Sequence, residues 1–538
     1  MTTRTPDMAR NAHGSAAFET GVVADGPSPS SLALDARQRR NILIAMCVAL
    51  VAVVASVSGL NVAQADLAID LGASQGSILW IINAYTLALA ALLMPVGAIG
   101  DRWGRKPVLL AGLALFGLAS LVAATAGSAA VMIVARVIAG AGAAMIMPVT
   151  LSVITSSFPP EERAQAIGVW AGFAGAGGIL GLVTSAFMVD VVDWRWLFAL
   201  PVVMVAVSAV LTVRSVPNSR EVGEHPFDTV GSVLSAVAIG GLVLGIHEGP
   251  ERGWLDPLTL VGLVAGAVGL VAFIAWERRH PDPLLDISAF RNRGLSAGSL
   301  TLLIVFAVMF GIFLVLFPFF QIVIGWSALR SAAGLLPMAG LMMPLSALAP
   351  HIAKRIGTRT TMVAGVSIFM SGLALLAITA SATGGYLSVL PGLLIIGVGM
   401  GLTMTPATEA ITETLPADKQ GVASALNDTS RELGGAIGVA LLGSILSSGY
   451  GSAIAPTADA LPPELAEPVR EGIGTAVGAA AQAGDAGPAI LDAAKQAFVD
   501  GWVQSMWFGV ALAGVALVYL VVRGPAGNDS GPDVARDG

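Results

Sequence analysis

The chain has 538 residues, of which 55% are hydrophobic and only 12% are charged, and its mean hydropathy is +0.80. Soluble domains carry roughly 25% charged residues, so this composition excludes an ordinary soluble protein and indicates a protein that crosses a membrane many times. The net charge of -7 indicates no nucleic-acid partner, because the basic residues are dispersed over short loops and form no patch.

The two ends of the chain differ in composition from the rest. Residues 1–40 are polar and rich in Gly, Pro and Ser, without the pattern of a cleavable signal, and residues 525–538 are similar. We expect both to be disordered cytoplasmic tails. The lone Cys47 lies in an apolar segment and has no second cysteine with which to form an internal disulfide.

Fourteen windows are long and apolar enough to span a membrane, which takes about 20 residues in a helix. The sequence therefore predicts an all-α polytopic membrane protein. The predicted spans lie at about 41–65, 77–99, 108–126, 129–154, 166–189, 196–216, 228–248, 258–277, 295–325, 335–352, 361–380, 387–411, 422–448 and 506–523.

Basic residues indicate the orientation of these spans. The loops on one side hold 14 Lys and Arg residues and the two tails add 7, whereas the opposite loops hold 5. Because basic loops remain in the cytoplasm, we predict that both termini are cytoplasmic.

The chain also repeats itself. The stretch 100–105 matches 353–358, and 160–163 matches 416–419, at offsets of 253 and 256 residues. We predict an N-terminal six-helix half at 41–216, a linker with two inserted helices at 217–294, and a C-terminal six-helix half at 295–523. Parallel repeats of this kind characterise one large class of transporters.

Two motifs carry a resemblance to a known family. The stretch 97–107, Gly-Ala-Ile-Gly-Asp-Arg-Trp-Gly-Arg-Lys-Pro, closely resembles the signature loop between helices 2 and 3 of the major facilitator superfamily. The stretch 136–142, running on to Pro148, resembles the Arg-containing motif of that superfamily. With fourteen spans, the chain resembles the 14-helix drug:proton antiporter family, including the quaternary-ammonium and multidrug efflux pumps.

The resemblance implies a major facilitator fold and a monomeric transporter in a bacterial plasma membrane, which works by alternating access. It further implies that loop 100–107 is a gate between the halves, through Gly100, Asp101, Arg102, Gly104 and Arg105. The two glycines allow helices 2 and 3 to approach closely, and Asp101 can pair with basic residues or a helix N-terminus. The alternative is a basic turn with no gating role.

Arg136 is charged within a predicted span and is flanked by Gly and Ala, which permit close packing around a buried guanidinium. The resemblance implies that Arg136 couples protonation to movement. The alternative is that its side chain reaches a lipid headgroup.

Three ionisable residues follow one another at the start of the thirteenth span: Asp428, Arg431 and Glu432. A charge in a membrane helix costs roughly 2.5–3.5 kcal/mol and usually faces a protein interior. Asp428 and Glu432 share one helical face, and both align with paired acids of the quaternary-ammonium pumps. We predict that they bind protons or cations in a cavity. The alternative is a structural ion pair with Arg431.

Other side chains are weaker candidates for a substrate cavity. Ser56 and Asn61 belong to a polar stripe on the first span, Asn83 and Tyr85 lie on the second, and Phe317 and Gln321 lie in an aromatic segment. Ordinary packing explains any one of them equally well. The polar segment 449–504 has two apolar periodicities, which predict a helical hairpin over the outer mouth.

Enzyme motifs are not apparent. No Gly-Lys dipeptide occurs, so the chain has no nucleotide-binding P-loop, and the five His residues show no metal-ligand spacing. We expect no cofactor and no metal. The leading hypothesis is proton-coupled efflux of hydrophobic, cationic or amphipathic drugs. The alternatives are export of one metabolite, antibiotic or lipid, and a membrane sensor that transports nothing.

Overall fold

The computed structural model describes residues 34–60, 63–219 and 227–525. Within these ranges all regular structure is helical, and fourteen helices are long and apolar enough to cross a membrane. The predicted fold class, two six-helix halves with two inserted helices, is confirmed.

The first half contains six spanning helices and one short surface helix. The bounds are α1 Ala36–Gly59, α2 Gln64–Asp70, α3 Gln75–Trp103, α4 Arg105–Ala124, α5 Ala129–Ser157, α6 Pro160–Val191 and α7 Ala199–Ser215. A 3-10 turn at Trp194–Phe198 precedes α7, so the sixth span begins with that turn. The short helix is α2, which lies between the first two spans.

The inserted pair consists of α8 (Thr229–Arg252) and α9 (Pro257–Glu277), which pack closely against each other. Glycines allow this close packing, since a Cβ on Gly241 would lie 2.6 Å from the backbone nitrogen of Gly266. The outer face of α8 contacts α3 of the first half and also α15 of the second half. The inserted pair therefore touches both halves.

The second half contains the other six spanning helices and three short ones. The bounds are α10 Arg293–Pro318, α11 Ala328–Ala333, α12 Leu336–Ile356, α13 Thr358–Thr379, α14 Leu390–Thr412, α15 Gln420–Asp459, α16 Pro463–Glu471, α17 Ile473–Gln482 and α18 Gly487–Arg523. The long predicted span at 295–325 is α10 followed by a π-helical turn at Phe319–Val323. A positive-φ glycine, Gly325, follows the turn and ends the span.

The internal repeat has a structural counterpart in two glycine turns. Gly104 ends α3 with φ 105°, and its nitrogen donates to the carbonyl oxygen of Gly100. Gly357 ends α12 with φ 90°, and its nitrogen donates to the carbonyl oxygen of Ala353 in the same way. Only glycine adopts this φ readily, which is why both copies of the repeat have it. We call the end of the bundle that carries these two turns the basic end.

Helix α6 has glycines on two faces. On one face, Gly168 and Gly172 pack against the backbone of α12, where a Cβ on Gly168 would lie 2.7 Å from the carbonyl oxygen of Ser346. On the other face, a Cβ on Gly181 would lie 2.5 Å from the Cα of Ala55 in α1. Close backbone approach of this kind is common between membrane helices. Through it, α6 joins the two halves along one side of the molecule.

The segment 449–504 differs in detail from the predicted separate hairpin. Its two arms are continuations of spanning helices, because α15 runs over 40 residues and α18 over 37 without a break. The short helices α16 and α17 close the tip. Tyr450 of α15 donates a hydrogen bond to the carbonyl oxygen of Val469 in α16 at 2.8 Å, which fixes the tip on the arm.

Candidate functional site

The acidic turn of α15 is buried. Asn427 and Asp428 have no exposed surface, and Arg431 is 5% exposed. Oδ1 of Asp428 accepts from Nη1 of Arg431 at 3.4 Å and from Nδ2 of Asn427 at 3.1 Å. Oδ2 of Asp428 has no donor among the residues that the structure describes. The carboxylate of Asp428 is therefore hydrogen-bonded through one oxygen only.

A hydroxyl group on α14 fixes the orientation of Asn427. Oγ1 of Thr408 donates to Oδ1 of Asn427 at 2.9 Å, so the amide nitrogen of Asn427 points at Asp428. Buried polar groups are normally satisfied in this way. Thr408, Asn427 and Asp428 thus form a hydrogen-bonded row from α14 to α15.

The guanidinium of Arg431 lies between aromatic rings from both halves. Its central carbon is 4.5 Å from the ring centroid of Phe306 in α10 and 5.8 Å from that of Trp170 in α6. Such contacts stabilise a cation that has lost its water. Nε1 of Trp170 donates to Oγ1 of Thr150 at 3.1 Å, which holds the indole in place. The cation is therefore bound by rings as well as by Asp428.

Glu432 is only partly buried and makes no ion pair with any residue that the structure describes. Its helix, α15, packs against α3 and α5 of the first half. Arg431 therefore forms its ion pair with Asp428 and not with Glu432, although the spacing along the helix allowed either.

Arg136 on α5 is a second buried cation. It is 2% exposed, its Nε donates to the carbonyl oxygen of Ile81 at 3.1 Å, and its guanidinium stacks on the ring of Tyr85 at 4.2 Å. The hydroxyl of Tyr85 donates to the carbonyl oxygen of Val53 in α1 at 3.1 Å. Arg136 is therefore packed inside the protein and does not extend to a lipid headgroup. Tyr85 and Arg136 thus lie on the two helices of the first half, α3 and α5, that pack against α15.

The residues of the gating loop meet the first turn of α15. Asp101 is 3% exposed, and its oxygens accept from the backbone nitrogen of Gly421 at 2.8 and 2.7 Å and from that of Val422 at 3.2 Å. A helix N-terminus presents free N–H groups and a partial positive charge, so it binds a carboxylate well. Arg105 donates to Oδ1 of Asp101 from Nη2 at 2.8 Å and to the carbonyl oxygen of Ala417 at 3.4 Å.

Two glycines near the end of α3 allow neighbouring helices to approach it closely. A Cβ on Gly97 would lie 2.5 Å from the carbonyl oxygen of Gly421, and one on Gly100 would lie 3.1 Å from Val149 in α5. Arg102 is partly buried and lines a cavity of about 180 Å³ between α3, the inserted pair and the start of α15. The structure thus brings the predicted gating residues together at the contact of the two halves.

Among the residues that the structure describes, no hydrogen bond joins the predicted substrate residues of the first half to one another. Tyr85 contacts a charged residue of this site, Arg136. Ser56 on α1 and Asn83 on α3 are partly buried, and Asn61 lies outside the described residues.

The predicted substrate residues of the second half lie toward the end opposite the basic end. Phe317 packs against a small apolar cluster that joins the halves there, formed by Leu182, Ala186 and Ala332. Gln321 is exposed on the π-helical turn.

Sequence reasoning assigned no role to Trp170, Phe306, Asn427 or Thr408. Trp170 had one usable signal, since it is the one tryptophan in a helix rich in glycine and alanine. Phe306 and Thr408 had none, because a phenylalanine or threonine in a membrane helix is ordinary.

Comparison with known proteins agrees with this geometry. The family model described as Major Facilitator Superfamily matches residues 44–439. The multidrug resistance protein Stp of Mycobacterium tuberculosis is 32% identical over 397 residues, which are 74% of each chain. The puromycin resistance protein of Streptomyces alboniger is 32% identical over 443 residues, which are 81% of this chain and 86% of that protein.

A solved structure shares the fold. The proton:xylose symporter XylE, bound to a bromodeoxyglucose, aligns with a TM-score of 0.59 over 91% of this chain and 96% of its own, at 13% identity. The match of the family model over most of the chain, the resistance proteins and the shared fold agree with one another. The chain therefore belongs to the Major Facilitator Superfamily, a family of membrane transporters.

Proposed function

We propose that this protein exports hydrophobic, cationic or amphipathic drugs in exchange for protons by alternating access. The observation that carries the proposal is the buried turn of α15, in which, among the described residues, Asp428 keeps one oxygen without a donor and Glu432 forms no ion pair. The relative from Mycobacterium tuberculosis, a multidrug resistance protein, supports drug efflux.

The chemistry follows from charge in a medium of low dielectric constant. A carboxylate there is costly unless it binds a proton or lies beside a cation. A proton on Asp428 removes the negative charge that holds Arg431, and a cationic substrate beside Glu432 competes with a proton for the same carboxylate. Proton and substrate therefore exclude each other at these acids, which is the requirement for exchange.

The aromatic rings around Arg431 indicate the kind of substrate. Phe306 and Trp170 already hold one planar organic cation, the guanidinium itself. Ring faces bind other organic cations by the same attraction. This favours cationic and amphipathic compounds over anionic ones.

Arg136 and Tyr85 would connect the acids to movement of the first half. Arg136 stacks on Tyr85, and α15, which carries Glu432, packs against both α3 and α5. A change in the charge of Glu432 therefore alters the attraction between α15 and the pair formed by α3 and α5. In this proposal the Asp101 contact closes the basic end, which is cytoplasmic, while the opposite end exchanges substrate.

The test is efflux of a cationic dye from proteoliposomes under an imposed pH gradient, with and without an uncoupler. Asp428→Asn and Glu432→Gln should each abolish the dependence of flux on the gradient. Glu248→Gln is the matched control, because Glu248 is a buried acid of α8 that is already paired with Arg252. Unchanged gradient-driven efflux in the Asp428→Asn/Glu432→Gln double variant would remove these acids from the mechanism.

The second candidate is a dedicated exporter of one compound, which the puromycin resistance relative favours. Competition experiments separate the two functions. A broad pump is inhibited by many unrelated cations in the dye assay, whereas a dedicated exporter is inhibited by compounds of one chemical series.

A further inference from the structure

The inserted pair holds two acidic side chains that the efflux mechanism does not use. Asp228 immediately precedes α8 and Glu277 ends α9, so both lie at the basic end. They are 6% and 3% exposed. The cavity lined by Arg102 lies beside Asp228 and reaches the start of α15.

Asp228 is well supplied with donors. Its Oδ1 accepts from the backbone nitrogen of Gly231 at 2.8 Å and so caps α8. The indole Nε1 of Trp276 lies 3.0 Å from Oδ1 and 3.2 Å from Oδ2. Both carboxylate oxygens of Asp228 therefore have donors.

Glu277 is not supplied in this way. Its Oε2 accepts from the backbone nitrogen of Leu285 at 3.2 Å, but its Oε1 has no donor among the described residues. That oxygen lies close to Oδ2 of Asp228, as the position of Gly231 shows. A Cβ on Gly231 would collide with both Oδ2 of Asp228 and Oε1 of Glu277, so both oxygens lie over the same glycine.

Two carboxylates this close cannot both be ionised when they are buried. A proton on Oε1 of Glu277 would donate to Asp228 and satisfy the one oxygen that lacks a partner. The other charged or titratable groups that face this site or line the adjoining cavity are His280, which stacks on Trp276, and Asp101, Arg102, Asp282, Asp418 and Lys419. Arg102 and Lys419 lie across the cavity, beside α3 and α15.

The segment that follows α9 connects this site to the second half. Glu277 holds Leu285, and two residues earlier the carbonyl oxygen of Pro283 accepts from Nζ of Lys419 at 2.9 Å. Lys419 directly precedes α15, whose first turn binds Asp101.

We propose that Asp228 and Glu277 form a second proton-binding site, in which one proton shared by the two carboxyl groups holds the inserted pair against the start of α15. Loss of that proton places two negative charges side by side and pushes the end of α9 away from the start of α8. The segment 278–286 then moves, and the bond between Pro283 and Lys419 is lost. The site is separate from Asp428 and Glu432 and does not depend on their role.

Trp276 provides a direct readout, because its indole touches Asp228. The protein labelled with 5-fluorotryptophan is titrated in nanodiscs, and the Trp276 fluorine resonance is assigned by its absence in Trp276→Phe. We expect this resonance to shift in a single one-proton step. Glu277→Gln, which retains the acceptor for Leu285 and mimics the protonated acid, should abolish the step. Glu248→Gln, at the other end of the inserted pair, should leave it unchanged.

A second measurement tests the link to α15. Spin labels are attached to cysteines that replace the exposed Arg279 and Asp418, in a Cys47→Ala background. We expect one narrow distance distribution below the step and a broader one above it, and a narrow distribution at every pH in Glu277→Gln. A titration step that persists in Glu277→Gln overturns the proton site. A distance distribution that stays the same across the titration step overturns the proposal that this proton controls the contact with α15.

Discussion

Oδ2 of Asp101 lies 2.7 Å from the backbone nitrogen of Gly421, although the two residues are 320 positions apart in the sequence. One belongs to the first half and the other begins α15 of the second half. The bond joins a side chain to the backbone at a helix N-terminus. Because residue 421 has no charged side chain, the sequence does not indicate this contact.

Replacing Asp101 should open the basic end. Asp101→Asn keeps the shape of the side chain but removes its negative charge, and charge-assisted hydrogen bonds contribute about 1.5–3 kcal/mol. We expect the ratio of closed to open molecules to fall by roughly tenfold or more. Distances between spin labels on α3 and α15 measure this shift. Asp418→Asn, an exposed acid on the same end, is the control, and an equal shift in both variants would contradict a specific role for Asp101.

A methyl group on Gly421 should have the same effect for a steric reason. A Cβ there would collide with the carbonyl oxygen of Gly97 and lie 2.7 Å from Oδ2 of Asp101. We expect Gly421→Ala to weaken the contact by about 1–3 kcal/mol. Gly451→Ala on the same helix has nothing within 4 Å and should be neutral or slightly stabilising. Thermal unfolding and dye efflux of the two variants give the comparison.

The ion pair of α15 makes a prediction about stability. Arg431→Gln leaves Asp428 buried without its cation, and breaking a buried pair costs about 3–5 kcal/mol. The Asp428→Asn/Arg431→Gln double variant removes both charges and should regain most of that loss. Thermal unfolding in detergent measures both. Equal destabilisation by the single and double variants would show that Arg431 acts mainly through Phe306 and Trp170.

Two substitutions of Tyr85 distinguish the contribution of its hydrogen bond from that of its ring. Tyr85→Phe loses only the bond to Val53 and should cost about 0.5–1.5 kcal/mol, with drug and proton fluxes still linked. Tyr85→Leu removes the ring under Arg136 and should let protons pass without drug. The measurement is the ratio of proton to dye flux in proteoliposomes. Identical ratios in the two variants would contradict a coupling role for the ring.

Asp70, between the first two spans, predicts an acid-sensitive contact at the end opposite the basic end. Hydrogen bonds from Nε1 of Trp194 at 2.8 Å and Nη1 of Arg195 at 2.9 Å hold the pKa of Asp70 below its usual value. A lowered pKa contributes stability above the ordinary value of 3.8 and loses it as the pH falls through the folded value. We expect Trp194 fluorescence to change in that acidic window in the wild type and not in Asp70→Asn. Because Asp70 is exposed, the effect on global stability should be small.

Much of the fold could be predicted because one physical signal dominates it. Hydropathy alone located the fourteen spans, and the turns at Gly104 and Gly357 confirmed the repeat that the sequence suggested. The extent of α15 and α18 was missed because these helices continue past the apolar window into polar sequence, where hydropathy no longer marks them.

The candidate site could be predicted only in part. Charges are conspicuous in an apolar helix, so Asp428, Arg431, Glu432 and Arg136 were identified, and their role stays a prediction. Their partners were not found, since a ring such as Phe306 and a hydroxyl such as Thr408 are ordinary residues of a membrane helix. The choice of Arg431 for Asp428 over Glu432 depends on side-chain geometry across three helices, which spacing along one helix does not contain.

The glycine faces of α6 have a mechanical consequence. Where Gly168 and Gly172 meet α12, backbone lies against backbone, so this part of the seam between the halves is smooth. On the other side of the molecule, hydrogen bonds between Asp101 and α15 must break before the halves can separate. We therefore expect this seam to act as the pivot when the halves reorient, and the Asp101 contact to be one of those that must break.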